Sequence, residues 1–221
     1  MNLKNWILVV SVGALAAIAY TLLSQKNGKL SVPGGEIAIG IEEANNLFAL
    51  DYYARLKDKE KGNIFFSPFS ISSALAMTYE GAKGRTAEEM LSVLYFPKDN
   101  ALRRVGYLEA FDRINKSDKS YKLSAANALW AQKDHRFLKE YFHVVSKYYQ
   151  GKAINLDFAK DPKGSMATIN KWVEERTNNK IKNLISGIGP ETKLILTNAV
   201  YFKGDWLSPF EKSKTKPEDF R

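Results

Sequence analysis

The stretch that opens at Pro68 and closes at Gly81 constrains the fold more than any other. Its residues are apolar or small on nearly every side of a helix: Phe69, Ile71, Ala74, Leu75, Ala76 and Met77 among them. A surface helix shows one apolar stripe, whereas a helix apolar all round must be enclosed by other elements. Ser67 before Pro68 supplies an N-cap and a first-turn proline, so the helix start is well defined. The chain therefore has to place this helix in the middle of a domain and build layers around it. It has the material to do so, since 45% of its 221 residues are hydrophobic and 12% aromatic, which excludes wholesale disorder. That length fits one domain or part of a larger one.

Periodicity predicts what surrounds that helix. Ile41, Ala44, Phe48, Tyr52 and Leu56 recur at helical spacing across residues 37–56. Asn63, Ile64, Phe65 and Phe66 form a short strand candidate. Thr86 with Glu89 reads as a capping box for a helix that ends near Leu94. Residues 101–115 give a further helix, and Phe137, Tyr141, Val144 and Tyr148 mark another that stops at Gly151. Leu123 to Trp130 is an apolar and small run that fits a buried strand. Ile154, Leu156 and Phe158 alternate with polar residues, the two-residue period of a strand. Asp161-Pro162 opens a helix through Met166, Ile169, Trp172 and Val173. Leu194, Leu196, Asn198, Val200 and Phe202 line one face of a final strand. Helices early and strands between them give an α+β class.

The first residues are a different material. No charged side chain occurs over residues 6–23, from Trp6 to Leu23, and Lys4 precedes the run. A basic residue followed by a long apolar segment is the pattern of an export signal. A bilayer-spanning helix needs about 20 such residues, so a cleaved signal and a retained anchor are both open. The division expected is a signal or anchor at 1–24, a linker rich in Gly at 25–36, and a folded domain at 37–221, which places the protein outside the cytoplasm, secreted or membrane-anchored.

Several chemistries are excluded or unsupported. With no Cys there is no disulfide, thiol nucleophile or thiolate metal site. The two His, His135 and His143, are too far apart on or beside one helix to share a metal, and read as solvated or half-buried. There is no phosphate loop, nucleophile elbow or His-Glu-x-x-His motif. No cofactor and no enzymatic activity are expected. Lys+Arg total 33 against 24 Asp+Glu, a net charge of +9. Part of that excess falls at Lys98, Arg103, Arg104, Arg113, Lys116, Lys119 and Lys122. The stretch suits weak polyanion contact or simply a solvated face, and without interleaved aromatics it does not suit specific nucleic-acid binding. Asn115-Lys116-Ser117 matches the short N-glycosylation pattern.

Three ordered segments resemble one family, the serpins. The first is Asn63-Ile64-Phe65-Phe66-Ser67-Pro68-Phe69-Ser70-Ile71-Ser72-Ser73-Ala74-Leu75-Ala76-Met77, followed by Gly81-Ala82 and Thr86. The second is Asn170-Lys171-Trp172-Val173, continuing through Thr177 to Ile181. The third is Leu196-Thr197-Asn198-Ala199-Val200-Tyr201-Phe202-Lys203-Gly204-Asp205-Trp206. The resemblance runs from about residue 37 to 221. It implies a serpin-like fold, with several N-terminal helices packed on a large mixed or antiparallel sheet.

The resemblance also assigns roles. Asn198, a polar residue in the apolar row of a strand, needs hydrogen-bond partners. By the resemblance these are Ser67 and Ser70, in a cluster beneath the place where the main sheet opens. By the residues alone, Ser67 equally serves as a helix cap and Asn198 as a partner of a neighbouring strand. Trp206 matches a tryptophan near the top of that opening, and Asn170 and Thr177 match positions that hold a helix across the sheet. Serpins inhibit serine, and sometimes cysteine, endopeptidases: an exposed loop is cleaved and then inserts into the main sheet as a new strand. The resemblance places that loop and the strand flanking the gap beyond Arg221, so the sequence reads as the N-terminal part of an exported inhibitor. The alternatives are a shortened, non-inhibitory binding or structural module tethered to a membrane, and a non-functional fragment.

Overall fold

A computed structural model describes residues 9–11, 39–116, 118, 120–209 and 211–219. The first folded element of the domain is helix α1 (Ile41–Leu56), which buries Ile41, Ala44, Phe48 and Tyr52. Helix α2 (Pro68–Tyr79) follows, and all eight residues from Ser70 to Met77 are buried. Ser67 caps it, its Oγ accepting the Ser70 N–H at 3.3 Å. Helices α3 (Gly84–Val93) and α4 (Asn100–Ile114) pack beside it. Strand β2 (Tyr121–Gln132) leads to α5 (Lys139–Tyr149), strand β3 (Gly151–Leu156), α6 (Pro162–Arg176) and strand β4 (Leu194–Gly204). A short 3-10 turn covers Lys212–Lys214. One further strand, β1 (Val9–Ser11), comes from the N-terminal segment.

The sheet is mixed, in the order β1-β4-β2-β3. β2 and β4 are antiparallel over eleven register pairs, Tyr121 opposite Gly204 through Ala131 opposite Leu194. β3 lies parallel to β2, as its connection through α5 requires. β1 runs antiparallel to β4 at residues 197–199. One face of the sheet rests on α1, α2, α4 and α5, with Leu129, Ala131 and Leu196 in a core shared with Phe48, Met77, Phe111 and Tyr149. The other face is covered by α6 and the segment after it, where Trp130, Ala128 and Ala199 pack with Phe158, Ile169, Trp172 and Val173. Both faces of β2 and β4 are thus buried. That is why their sequences read as near-continuous apolar runs rather than as alternating ones. Gly106 allows α1 and α4 to approach: a Cβ there would lie 2.6 Å from Ile41 Cγ1.

Three local expectations change. Asn63 to Phe66 does not enter the sheet; Phe66 instead packs edge-on against Tyr52, 5.2 Å between ring centres. Thr86 is no cap, because α3 already begins at Gly84 and Glu89 accepts a hydrogen bond from Arg85, one turn earlier, at 2.8 Å. Helix α5 ends in a left-handed Gln150 (φ 50°), and Gly151 already belongs to β3. Residues 1–8 and 12–38, which hold most of the expected signal or anchor and all of the linker but no described structure, lie outside the described residues, as do Ser117 and Lys119. Of the apolar run only Val9–Ser11 is described, in extended pairing. Among the described residues no helix is long and apolar enough to cross a membrane.

The start of α6 follows the sequence closely. Asp161 is the N-cap and accepts the Gly164 N–H at 2.9 Å, with Pro162 in the first turn. Asp161→Ala is expected to cost about 1 kcal/mol, read as a lowered urea midpoint at unchanged m-value; an unmoved midpoint would show that α6 does not depend on its cap.

A buried amide cluster as the candidate functional site

In β4, residues 194, 196, 198 and 200 point to the helical face, an apolar row broken only by Asn198, which is fully buried. Its antiparallel partner across the ladder is Asn127 of β2, also buried. The two amides meet directly: Asn198 Nδ2 donates to Asn127 Oδ1 at 2.8 Å and lies 3.5 Å from Ser73 Oγ of α2. Asn127 Nδ2 in turn donates to the Tyr149 carbonyl at 2.7 Å, which ties the pair to the end of α5. One hydrogen-bonded line therefore crosses from β4 through β2 to α5, with α2 beneath it. In a low-dielectric interior such a line fixes the lateral position of two strands more strictly than aliphatic packing does.

The cluster is not composed as the sequence reading has it. Ser67 Oγ is taken up capping α2, so it does not reach Asn198. Ser70 is fully buried, but its Oγ has no hydrogen-bond partner among the described residues. Ser73, one turn further along the same helix face, occupies the place beside Asn198. Asn198 Oδ1 is a second buried atom with no partner there. Asn127 was missed because nothing in its neighbourhood marks it. Only the register, which sets it opposite Asn198, brings it in, and that register can be drawn once both strands are assigned.

On the other face, Asn170 and Thr177 both bind the segment that returns from α6. Asn170 Nδ2 donates to the Ile185 carbonyl at 2.9 Å, and its Oδ1 accepts the Ile185 N–H at 3.0 Å. Thr177 Oγ1 donates to the Val173 carbonyl at 2.8 Å and accepts the Ile181 N–H at 3.1 Å. The segment following the helix is thereby stitched back onto it. Beneath it Trp130 Nε1 donates to Thr197 Oγ1 at 3.0 Å, and the Trp130 and Trp172 rings meet edge to face at 5.7 Å. Trp206 lies just past the end of β4 and is 64% exposed.

Arg103 and Arg104 do not face a polyanion. Arg103 is 1% exposed, donating from Nη2 to Glu80 Oε1 at 3.1 Å and stacking over Tyr79 at 4.3 Å. Arg104 donates from Nη2 to Glu80 Oε2 at 2.8 Å. Adjacent residues on a helix point about 100° apart, yet here both converge on one carboxylate, because Glu80 sits buried at the end of α2. Tyr149 completes the set, its hydroxyl donating to Glu80 Oε1 at 2.7 Å. Burial pushes the Glu80 carboxyl up, but the hydrogen bonds from Arg104 and Tyr149 and the Arg103 charge outweigh it and hold the group below the usual range. Burial together with Glu80 drives the Tyr149 phenol upward. Arg113 is ion-paired with Glu42, and Lys116 is exposed. His135 and His143 are both exposed.

Among the described residues this site brings together amides and a serine hydroxyl. It is a set of fixed amides under a strand whose outer edge, among the described residues, pairs with β1 at residues 197–199. Such an arrangement fixes β2 and β4 against each other. A protein described as serpin-like from Methanosarcina acetivorans is 45% identical over 185 residues, which cover 81% of this chain and 44% of that protein. Emu (Dromaius novaehollandiae) ovalbumin superposes with a TM-score of 0.77 at 29% identity, over 83% of this chain and 51% of its own. Cleaved kallistatin complexed with heparin gives 0.76 at 28% identity, over 82% and 55%. The chain thus spans about half the length of the relatives it matches. The family profile described as Serpin (serine protease inhibitor) matches residues 43–221, and the chain belongs to that family.

Proposed function

We propose that this chain supplies the strand-accepting part of an exported inhibitor of serine endopeptidases, with cysteine endopeptidases as a further target class. The observation that carries the reading is the outer edge of β4. It takes an antiparallel strand at residues 197–199, directly over the buried Asn198–Asn127 pair. A cleaved loop entering beside β4 would gain ladder hydrogen bonds along that edge, which is the driving force of strand addition. Polyanion contact, suggested by the heparin of the kallistatin neighbour, would fall to Lys116 rather than to Arg103 and Arg104.

The test uses the protein isolated from its own cells, including any residues past Arg221, mixed with trypsin-, chymotrypsin- and subtilisin-like proteases. A one-to-one complex that survives boiling in SDS is expected with at least one of them. Cleavage by all three without trapping would overturn inhibition and leave a non-inhibitory binding module. The same preparation tests export: the protein should be recovered outside the cytosol, and full-length chain beginning at Met1 in the soluble cytosolic fraction would overturn that part.

A further inference from the structure

Strand β1 comes from the segment that the sequence marks as an export signal or anchor, yet its backbone lies in the sheet. Val9 stands opposite Ala199, Val10 opposite Asn198 and Ser11 opposite Thr197, antiparallel to β4. β2 takes the other side of β4 along its whole length, from Leu194 to Gly204. The three paired residues of β1 therefore occupy the outer edge at the level of the Asn198–Asn127 hydrogen bond, and β1 also lies against α2. Local sequence agrees with this placement. Ile7, Val9, Val10 and Val12 give this part of the run a β-branched character that suits a strand. An open sheet edge is a row of unpaired N–H and C=O groups ready to pair with any extended chain, and covering it removes that hazard.

We propose, on the reading of β4 as a strand acceptor, that residues 9–11 are a built-in occupant of its edge and close it to other strands while the N-terminal segment is attached. Two strands cannot pair with one edge at the same residues, so an incoming strand has to displace β1 first. Tethering favours β1, because a segment on a short flexible linker acts at an effective concentration on the order of 1 mM. A strand arriving from dilute solution competes poorly with that. The same segment has a second destination. An uncharged run behind a basic residue is drawn into a membrane or removed with an export signal, and from there it cannot pair with β4. Opening of the edge is thereby coupled to export: the strand acceptor is shielded inside the cell and available outside it.

The test uses the full chain with Met1 retained, verified by intact mass, and a variant carrying Val9→Pro and Val10→Pro together. Successive N–H groups along a strand point to opposite sides, so one of the two faces β4, and proline removes it whichever it is. Hydrogen exchange within residues 194–204 should be at least about tenfold faster at one or more amides of the variant. A fluorescein-labelled peptide copying residues 6–14, with a scrambled copy as blank, should bind the variant at least about tenfold more tightly than the native chain. Thr21→Pro, in the same uncharged run but outside the paired residues, should leave both readouts unchanged. Edge-to-edge association by the double variant alone would also mark an opened edge. Equal exchange in native chain and double variant would overturn the occupancy, and faster exchange without tighter peptide binding would overturn the closure. An equal change in Thr21→Pro would assign the effect to the run as a whole and overturn the role of residues 9–11. Neither readout involves a protease, so a chain that meets both but traps no protease loses only the inhibitory reading.

Discussion

Glu80→Gln is expected to destabilise the fold by about 3–5 kcal/mol, the range found when one partner of a buried ion pair is removed. Glu80 receives Arg103, Arg104 and the Tyr149 hydroxyl. Arg103 is 1% exposed, and apart from Glu80 its partners among the described residues are the Pro97 carbonyl, Asn100 and the Tyr79 ring, none of them charged. An amide would preserve the shape while leaving that guanidinium uncompensated in the interior. The loss should appear as a lowered urea midpoint and thermal midpoint. Replacing both buried partners together, Glu80→Leu with Arg103→Met, should recover much of it, since no stranded charge remains. A loss below about 1 kcal/mol in the single variant would mean that Arg103 finds solvent and that the cluster is no more than a surface pair.

The same carboxyl makes a pH prediction with a definite sign. Its folded value is lowered, so its contribution is present above the unfolded value near pH 4.3 and is lost as pH falls through the lower folded one. The native chain should therefore lose stability on acidification below about pH 4 by more than Glu80→Gln does. Parallel acid profiles for the two proteins would remove the linkage.

Asn198→Leu is expected to cost about 1–3 kcal/mol despite adding apolar surface. The leucine would bury well, but Asn127 Oδ1 would lose the donor it now has at 2.8 Å and stay buried without one. Thermal denaturation reads this directly, and an unchanged midpoint would show that the Asn127–Asn198 bond does not hold β2 to β4. Under the proposed inhibitory reading, inhibition should fall as well, because β4, beside which the loop would enter, would no longer be fixed to β2 at this level. The two substitutions are not independent. Tyr149 gives its hydroxyl to Glu80 and its carbonyl to Asn127, so each disturbs an anchor of the other.

Much of this architecture was legible from consecutive residues. Ser67-Pro68 and Asp161-Pro162 mark helix starts that the structure uses as caps. The all-round apolar pattern from Phe69 to Met77 correctly demanded a central helix, and the row around Asn198 demanded partners. The choice among those partners was not legible. Ser67 caps the right helix and Ser70 lies in its first turn, yet Ser73 stands beside Asn198, because one more turn carries it beneath β4. Asn63 to Phe66 has the composition of a strand, but pairing is a property of neighbours and not of the segment.

The sequence by itself therefore determined most of the elements, the caps Ser67 and Asp161, the buried standing of α2 and the family. These depend on spacing and on backbone preferences within a few residues. The tertiary structure alone decided which polar groups meet: Asn127 with Asn198, and Arg103 and Arg104 with one carboxylate. Each of these joins residues separated by many positions. Burial makes an unpaired polar group costly, but which group answers that demand depends on strand register and helix crossing, which no local pattern encodes.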